Sequence, residues 1–501
     1  MPVAEDREDE WMTATENERV TPVSIGTARS SGPSVQDFLA ADTREVPTSM
    51  LDHSSAPQGA ADIARGRYVD AGFAALENEY LWTNTWQMAC MEVDLERSGD
   101  HVVYDIADQS LIVTRTKDGS IKAFHNSCLH RGTKLRTDDG RVASFRCPFH
   151  GWKWDLDGNL VELPAEWDFP QVWEQPDSCL PEAAVATWQG FVFVNMGENP
   201  QPFSTYADKL IEHFDRDFDM TGRYRAFWAT KEVPANWKVC MEAFGEGYHV
   251  IATHPQILEF TADENSEYSI WPDSPHVTRF INGFGSQSPH LAELTPQQVV
   301  DAYMAFSVGS VKGDIPEGMR INVPDDANPR AVVADLFRQA MSARFGADLS
   351  DRADTELLDA VLYHLFPAFA PWAGVGQSLV YRWRPGPTPD TCFMDVIRMA
   401  PNPDSGDVPD AAPQQVLALD QSWHEAHEMG QLADVFQQDM DNLPKVQAGL
   451  KSKGKRGVSF GLYQETRMRM HHRMVDGYID AGLDADGRDR SELDRWRVAA
   501  D

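Results

Sequence analysis

The chain has 501 residues, a formal net charge of −34 from 78 acidic and 44 basic side chains, and a hydrophobic content of 42%. At about 100–200 residues per domain, this length predicts two or three domains. So acidic a chain is not expected to bind nucleic acid, which needs a basic surface, and the lack of any run of about 18 apolar residues predicts no membrane-spanning helix.

Residues 1–60 carry eleven acidic and four basic side chains and many Ser, Thr, Pro, Gly and Ala. A segment of this composition buries little apolar surface, so we expect a largely disordered or loosely docked acidic extension. Its start, MPVAEDREDEW, has no apolar stretch and predicts no signal peptide. The six cysteines form no framework of close pairs, which favours reduced thiols and a cytoplasmic setting.

Residues 61–200 are predicted to form an N-terminal helix over 62–80 and then a compact all-β unit. Short alternating runs such as HVVYDIA, SLIVTRT and GFVFVNM are separated by turn residues, which is the pattern of paired strands. Residues 201–501 mix both patterns and are predicted to form an α+β domain. Its helical segments are predicted at 236–262, 292–306, 414–450 and 462–481, its strands at 378–385 and 392–401, and an insertion or loop at 285–330.

Two Cys/His pairs lie in turns of the predicted all-β unit. They are Cys128-Leu129-His130 and, after sixteen residues, Cys147-Pro148-Phe149-His150. Two thiolates and two imidazoles suit a Rieske [2Fe–2S] centre, in which two Cys hold one iron and two His hold the other. A structural zinc site is the alternative, although its usual spacings do not include C-x-H. A Rieske centre would handle single electrons and implies a second metal site elsewhere in the chain.

A second candidate metal site begins at Glu246-Gly247-Tyr248-His249, with His254 five residues further on. Two imidazoles and one carboxylate can hold Fe(II) while leaving other coordination positions open for O₂. Taken alone, a histidine pair is more often a surface or core feature than a ligand pair. The carboxylate must come from a distant segment, where Asp434, Asp439 and Asp441 compete.

With these motifs in view, the chain from about 62 to 480 resembles the large (alpha) subunit of Rieske non-heme iron oxygenases, the aromatic-ring-hydroxylating family. The resemblance depends on the two cluster loops, on Asn236-Trp237-Lys238 before the histidine pair, and on the segment from Asp439 to Gln447-Ala448-Gly449-Leu450. It implies an all-β Rieske domain and an α+β helix-grip (START-like) catalytic domain with a central antiparallel sheet.

The resemblance also implies two sets of ligands. The [2Fe–2S] cluster would be held by Cys128, His130, Cys147 and His150, and mononuclear Fe(II) by His249, His254 and Asp439, the acid eight residues before Gln447. It further implies that Glu246 bridges the two sites, from His150 of one subunit to His249 of the next in a ring-shaped trimer. Most relatives have Asp at the bridge, and many dihydroxylating members have Asn at the position of Ala243. The glutamate resembles instead the branch that oxidises quaternary ammonium compounds.

The implied function is that of a terminal oxygenase that hydroxylates or dihydroxylates an aromatic or related small organic substrate. No dinucleotide or flavin fingerprint is present, so electrons from NAD(P)H are expected to arrive through a ferredoxin or flavin reductase. One alternative is a Rieske monooxygenase that performs N- or O-dealkylation or oxidises a quaternary ammonium compound. Another is an electron-transfer protein without mononuclear iron. A trimer, with or without beta subunits, is implied by resemblance only.

The substrate pocket is harder to predict from sequence. Candidate walls flank the presumed iron ligands or lie in the apolar run HLFPAFAPW, and ordinary core packing explains each of them equally well. These candidates are Phe244, Tyr248, Ile257, Phe260, Leu365, Phe366 and Phe369. A cationic substrate would predict an aromatic cage, to which Trp271 and Trp372 could contribute. The basic stretch at 451–456 is either a docking site for an acidic redox partner or a solvated loop.

Overall fold

The computed structural model describes residues 26–173, 178–307, 315, 320–375, 378–403 and 406–498. These residues form four β-sheets: two large ones, a three-stranded one, and a two-stranded one of Ile63–Ala64 and Gly457–Val458. The helices lie mainly around the largest sheet, which confirms the predicted α+β class. The helices with α geometry are Val35–Ala40, Thr48–Leu51, Gly66–Val69, Ala71–Leu76, Pro170–Trp173, Phe203–Tyr206, Asp208–Asp217, Trp237–Ala243, Val250–Thr253, Pro296–Ser307, Pro329–Phe345, Asp354–Leu358, Leu432–Leu450 and Thr466–Ala485.

Shorter helical turns supplement these helices. A π-helical turn spans Glu77–Leu81, and 3₁₀ turns span Glu92–Leu95, Glu166–Asp168, Pro255–Ile257, Asp263–Asn265, Trp423–Glu425, His427–Met429 and Arg490–Leu493. Among the described helices, none is long and apolar enough to cross a bilayer.

The first sheet forms the body of what we call the cluster domain, from Gln87 to Asn195. Its seven strands are all antiparallel and run in the order Gln87–Met91, Phe191–Asn195, Glu182–Trp188, Ile121–His125, Gln109–Arg115, Asp100–Ile106 and Gly140–Arg141. A separate three-stranded sheet joins Phe145–Arg146, Lys153–Trp154 and Leu160–Glu162. The predicted all-β unit is therefore present, with the cluster loops between its short strands.

The second sheet is the centre of the helix-grip domain, from Arg223 to Ala485. Its eight strands run in the order Glu267–Ile270, Val277–Asn282, Ala360–Leu365, Phe369–Ala373, Leu379–Pro385, Cys392–Pro401, Arg223–Val233 and Gln414–Leu417. Every neighbouring pair is antiparallel except the last, which is parallel. A central antiparallel sheet gripped by long helices matches the fold that the resemblance implies.

The strand Leu379–Pro385 shows how the two faces of this sheet differ. Side chains alternate between faces along a strand. Tyr381 packs against Phe244 and Phe436 on the helix side, with ring centroids 5.5 and 5.8 Å away. Arg382 lies on the other side, where its guanidinium donates to the carbonyl of Met88 at 2.9 Å. One face of the sheet therefore packs against the iron-site helices, and the other face contacts the cluster domain.

Residues 1–60 were predicted to be largely disordered or loosely docked; residues 26–60 are docked on the rest of the chain, whereas residues 1–25 lie outside the described residues. Two short helices form here, and Ser34 caps the first by accepting from the amide of Asp37 at 3.1 Å. The segment also contacts the helix-grip domain, because the amides of Arg29 and Ser30 both donate to the side chain of Asn265 at 2.9 Å. Composition does not reveal such contacts, since their partners lie more than 230 residues away along the chain.

The predicted N-terminal helix is also divided and packs on the other end of the chain. Between Gly66 and Leu81 it contains two α-helical turns and the π-helical turn. The buried Arg67 guanidinium pairs with Asp476 at 2.5 Å, and the Tyr80 hydroxyl donates to Asp486 at 2.8 Å. These partners belong to the Thr466–Ala485 helix and the turn after it, so this segment packs on the helix-grip domain.

The helix predicted over 236–262 is interrupted where the iron ligands begin. Trp237–Ala243 ends before Gly245, and Val250–Thr253 begins only after Gly247. Two glycines within three residues weaken a helix, and a Cβ at Gly245 would overlap Met468. Similarly, the helix predicted over 414–450 begins at Leu432, after the edge strand Gln414–Leu417.

Candidate metal centres

The two cluster loops have the same backbone geometry. In each loop the glycine four residues after the cysteine donates its amide to the cysteine carbonyl: Gly132 to Cys128 at 2.9 Å and Gly151 to Cys147 at 3.1 Å. Both glycines have left-handed φ angles, 79° and 82°, which residues with a side chain rarely adopt. The glycines of Cys-x-His-x-Gly and Cys-x-x-His-Gly are thus required by the turns that present the donors.

The four predicted cluster ligands meet as two pairs of like donors. The His130 and His150 rings lie 4.5 Å apart between centroids, and the buried thiols of Cys128 and Cys147 interact with each other. Within the described residues, no three of these four donor atoms lie within 4.8 Å of one another. A tetrahedral zinc ion, with bonds of about 2.0–2.3 Å, would gather all four donors more closely. The arrangement fits a two-iron cluster better, with thiolates on one iron and imidazoles on the other.

The pKa shifts of His130 and Cys147 suit metal ligands. Burial lowers the pKa of His130, and the neighbouring His150 and Arg131 lower it further, so its ring is neutral. Its buried Nδ1 has no hydrogen-bond partner within the described chain, as expected of an atom reserved for a metal. Burial opposes ionisation of Cys147, but the backbone amides of Phe149 and His150 outweigh it and lower the pKa of the thiol.

The second predicted site is assembled from two distant segments of the chain, one with His249 and His254 and the other with Asp439. Asp439 Oδ1 lies 3.1 Å from His254 Nε2 and 3.6 Å from His249 Nε2, and the two rings are 5.1 Å apart. One ligand atom from each side chain lies within 4.8 Å of the others. Two imidazoles and a carboxylate on one side of a point form the set that holds mononuclear Fe(II) with open positions.

Hydrogen bonds orient both iron-site imidazoles. His249 Nδ1 donates to Glu246 Oε1 at 2.7 Å, and His254 Nδ1 donates to Gln438 Oε1 at 2.8 Å. A proton on Nδ1 leaves the lone pair on Nε2, the atom that faces Asp439. Gln438 was not predicted from sequence. The only available signal was its position next to Asp439. That signal is weak, because adjacent residues of a helix point in different directions.

The site has a strongly negative potential. Burial disfavours the charged form of His249, but Glu246 and Asp439 outweigh burial and raise its pKa to about 9. A potential that favours a proton on this imidazole also favours a divalent cation in its place. The donor chemistry and the charge therefore both fit iron.

The competing carboxylates point away from the histidines. Asp434 is 60% exposed and accepts from His424 at 2.8 Å, and the exposed Asp441 accepts from Gln437 at 3.1 Å. The Asp439 side chain is only 5% exposed and faces inward from the Leu432–Leu450 helix. Helical periodicity separates these three acids.

Glu246 makes one of the two contacts expected of a bridge. Its second oxygen, Oε2, accepts from the backbone amide of His249 at 3.0 Å, so the carboxylate holds both the ring and the main chain of that residue. Among the hydrogen bonds of the described chain, none joins Glu246 to His150.

Local structure places the ligands at the end of a capped helix. The Asn236 side chain accepts from the amide of Lys238 at 3.1 Å and starts the Trp237–Ala243 helix. The Lys238 ammonium is fully buried and pairs with Glu77 at 2.6 Å. After the helix, the Gly247 amide donates to the Tyr268 hydroxyl at 3.0 Å, which fixes the loop that leads to His249.

Two of the predicted pocket walls, Phe244 and Tyr248, line separate cavities, and the others are packed. Phe244 lines a small cavity of about 20 Å³ next to the iron-site loop. Ile257 and Phe260 belong to a core beside the Pro296–Ser307 helix, and Phe369 packs on Phe191 and Phe193 of the cluster domain. Leu365 and Phe366 are buried in the main core, and Tyr248 is 56% exposed.

The two tryptophans considered for an aromatic cage contact different residues. Trp271 packs on His213 and lies near Lys209, whereas Trp372 packs on Tyr381. The aromatic side chains beside Asp439 are instead Phe436, Phe244, Tyr381 and Trp383, which contact one another. Sequence missed Tyr381 and Trp383 because they lie on a strand more than 50 residues from Asp439.

A second acidic group with metal-like spacing is already occupied by a side chain. Asp52, Glu212 and His213 approach one another, but Lys209 places its ammonium 3.1 Å from Asp52 and 2.8 Å from Glu212. The lysine supplies the positive charge that a metal would supply.

Comparisons with known proteins agree with this arrangement. A family profile described as "Ring hydroxylating alpha subunit (catalytic domain)" matches residues 218–481, and one described as "Rieske [2Fe-2S] domain" matches residues 85–173. The glycine betaine monooxygenase oxygenase subunit of Pseudomonas aeruginosa (strain UCBPP-PA14) is 29% identical over 219 residues, covering 41% of this chain and 49% of that protein. The chlorobenzene dioxygenase subunit alpha of Cupriavidus sp. (strain PS12) is 32% identical over 192 residues, covering 37% and 42%.

The chain thus spans about half the length of these curated relatives. The solved structure of a quaternary ammonium Rieske monooxygenase, described for carnitine oxidation by gut microbiota, shares the fold. It has a TM-score of 0.58 and 18% identity, covering 85% of this chain and 100% of that one.

Proposed function

The chain belongs to the ring hydroxylating alpha subunit family, and from this membership we propose that it is the terminal oxygenase of a multicomponent Rieske system. The proposed reaction uses O₂ and electrons from a ferredoxin or reductase to oxidise a small organic substrate. Two alternatives follow from the sequence: a monooxygenase for amines, ethers or quaternary ammonium compounds, and an electron carrier that lacks mononuclear iron.

One observation supports the oxygenase over the electron carrier. His249, His254 and Asp439 converge, with each Nδ1 tied by a hydrogen bond and each Nε2 turned toward the carboxylate. An electron carrier needs no such set, whereas two imidazoles and one carboxylate are the donors that hold mononuclear Fe(II) with open positions. The remaining side of the site faces aromatic side chains, where a substrate can lie.

When bound, the [2Fe–2S] cluster supplies single electrons and the Fe(II) ion supplies a site for O₂ activation. The chain contributes position and environment. Glu246 and Gln438 fix the rings of His249 and His254. The buried aromatic cluster around Phe436 excludes water from one side of the site.

We place electron transfer between subunits, from the His150 side of one chain to Glu246 of the next. The exposed side chains around both sites support such an interface. Phe149 beside His150 is 59% exposed, and Tyr248 beside His249 is 56% exposed. Burying two large aromatic side chains is a favourable contribution to an oligomer interface.

Glu246 is the observation that favours the quaternary ammonium monooxygenase as a second candidate. It replaces the usual Asp at the bridge, and one similar solved structure is that of a quaternary ammonium Rieske monooxygenase. Product analysis separates the candidates. Cells that express the chain with a reductase would be supplied with fused arenes, aromatic acids and alkylamines, and products would be identified by mass spectrometry.

Metal analysis of the purified protein tests the oxygenase proposal itself. We expect about three Fe and two acid-labile sulfides per chain, with a Rieske EPR signal after reduction. About two Fe would indicate the electron carrier, and a colourless zinc protein would contradict both.

Substitution of Asp439 sharpens this measurement. Asp439→Ala should lower the content to about two Fe per chain while the Rieske EPR signal stays, because the imidazoles alone bind Fe(II) weakly. Asp441→Ala is the matched control, since that acid is exposed on the same helix, and it should keep about three Fe. Equal iron in both variants would remove Asp439 from the ligand set.

A further inference from the structure

A larger cavity lies on the helix side of the main sheet, beyond the aromatic cluster. Its volume is about 710 Å³, and its walls come from the sheet and from the helices Pro296–Ser307 and Pro329–Phe345. The lining is mostly apolar and includes Phe227, Leu379 and Phe337. Residues at its rim are exposed, so the cavity communicates with solvent.

Two guanidinium groups also line this cavity. Arg398 is partly buried on the strand Cys392–Pro401, and Arg344 is exposed near the end of the Pro329–Phe345 helix. Within the described residues, neither has a carboxylate within 4.0 Å, whereas Arg382 and Arg384 on the neighbouring strand both pair with Asp395. The Arg398 guanidinium lies over the ring of Phe227, with its Cζ atom 5.1 Å from the ring centroid.

This arrangement is electrostatically incomplete. Burial lowers the pKa of Arg398, and the positive charge of Arg344 lowers it further. Buried cations are normally paired, because water is lost without replacement. An anion between the two guanidiniums would offset both the burial and the mutual repulsion.

One strand runs from this cavity to the aromatic cluster near Asp439. Leu379, Tyr381 and Trp383 alternate on the same face, with Leu379 lining the large cavity and Trp383 lining the small cavity beside Phe244. Tyr381 stands between the two cavities and senses both the Asp439 and the Arg398 charges. Arg398 lies opposite Leu379 in the strand register.

We propose that this cavity binds the substrate and that Arg398, assisted by Arg344, recognises a carboxylate on it. The proposal rests on the proposed oxygenase function and specifies its substrate class: an organic acid with one carboxylate and an apolar body that extends toward Tyr381. Guanidinium groups suit carboxylates because their N–H groups can donate two parallel hydrogen bonds.

The charge at the cavity argues for a single carboxylate. Arg344 and Arg398 contribute two positive charges and Glu428, at the rim, contributes one negative charge, which leaves one positive charge. A monocarboxylate neutralises it. A dianion would meet repulsion from Glu428, and a purely cationic quaternary ammonium ligand would meet two guanidiniums.

Calorimetric titration of the purified full-length protein with matched probes tests this proposal. The probes are 2-naphthoate, its neutral amide 2-naphthamide, and the cation benzyltrimethylammonium. We expect the wild-type protein to bind the carboxylate about tenfold more tightly than the amide, as for a charge-assisted hydrogen bond, and the cation most weakly.

Variants then assign the preference to a residue. Arg398→Met should abolish the preference for naphthoate over naphthamide while naphthamide still binds, and Arg398→Lys should retain part of it. Glu428→Gln should tighten naphthoate binding. Arg97→Gln, an exposed arginine of the cluster domain, is the control and should bind all probes like wild type.

Ala340→Trp, within the cavity, distinguishes this location from another binding site, because it should weaken naphthoate and naphthamide alike. Equal affinity of the wild type for acid and amide, or an unchanged preference in Arg398→Met, would overturn the proposal. These outcomes remain separate from the oxygenase proposal, which depends on the iron and sulfide content of the same preparation.

Discussion

At the scale of single residues, Glu246 makes two separate contacts with His249. One carboxylate orients the His249 ring through Oε1 and anchors its backbone amide through Oε2. Its side chain is only 9% exposed, so few water molecules could replace it. The loop accommodates the methylene group that Glu has in addition to Asp, since the contact between Glu246 and His249 is short and well formed.

We therefore expect Glu246→Gln to retain both metals and to slow turnover by about 10–100-fold, the usual cost of changing a residue that orients a metal ligand. The amide still fills the space but no longer carries the charge that holds the imidazole N–H. Iron content, the Rieske EPR signal and product formation would be measured together. Glu246→Asp is the conservative control, and an unchanged rate in Glu246→Gln would contradict the bridging role.

His276 provides a prediction about pH. It is buried against Tyr206 and accepts or donates a hydrogen bond to the Tyr478 hydroxyl at 2.9 Å. Burial lowers its pKa from 6.5 to about 4. The unfolded chain therefore binds a proton below pH 6.5 that the folded chain binds only near pH 4, and the stabilisation is lost as the pH falls through this window.

At pH 5.5 this loss amounts to about 1 kcal/mol for His276 alone. Urea unfolding of the wild type and of His276→Gln at pH 7.5 and 5.5 checks it. The difference in stability between the two proteins should shrink by about 1 kcal/mol at the lower pH. A constant difference would show that His276 is not buried in its neutral form.

The residues that sequence could predict share one property. They lie in short contiguous motifs: spacing alone was informative for the cluster loops, whereas the His249–His254 pair also needed the family pattern that begins at Asn236. Asp439 required the family spacing to Gln447, because the helix also carries Asp434 and Asp441. Arg398 and Tyr381 could not be predicted, since their position depends on the strand register and on which face of the sheet meets the helices.

At the scale of secondary-structure elements, the N-terminal segment acts as a remote helix cap. The Asp42 carboxylate accepts from the amides of Asp354 and Thr355 at 2.9 and 3.0 Å, at the start of the Asp354–Leu358 helix. Thr43 strengthens the contact by donating its hydroxyl to Asp354 at 2.7 Å. A segment that composition predicts to be largely disordered or loosely docked thus satisfies amide groups that the helix cannot satisfy itself.

Asp42→Ala should lower the free energy of unfolding by about 1 kcal/mol, and Asp42→Asn should retain most of the stability because asparagine also caps well. Urea unfolding followed by tryptophan fluorescence would measure both. If Asp42→Ala unfolded like wild type, the docking of this segment would be energetically unimportant.

Element boundaries were harder to predict than element types. The patterns over 236–262 and 414–450 were predicted as continuous helices, but glycines at 245 and 247 end the first one early. The edge strand Gln414–Leu417 precedes the second, because it pairs in parallel with Arg223–Val233, a contact across almost 200 residues. Local propensity cannot detect such a partner.

At the scale of the whole molecule, the proposed electron transfer between subunits makes a prediction about assembly. Chains carrying Cys147→Ser would lack the cluster, and chains carrying Asp439→Ala would lack the iron. Each should be inactive alone. Co-expressed at equal levels, they should assemble mixed rings with about a quarter of the wild-type activity, since about one junction in four joins an intact cluster to an intact iron site.

Transfer within a single chain would give no recovery in this experiment. Product formation by co-purified mixtures, tagged on one variant, provides the measurement. Mixing the two purified variants without subunit exchange is the control and should remain inactive.

The buried pair of Lys238 and Glu77 determines how this protein can be dissected. A clone that starts after residue 200 would strand an ammonium ion in the interior, and losing one partner of a buried pair typically costs about 3–5 kcal/mol. A fragment of the cluster domain made for electrochemistry should therefore begin near Gln87. The preceding stretch from Gly66 to Leu81 should be kept with the helix-grip domain, either as a separate peptide or fused to its N-terminus.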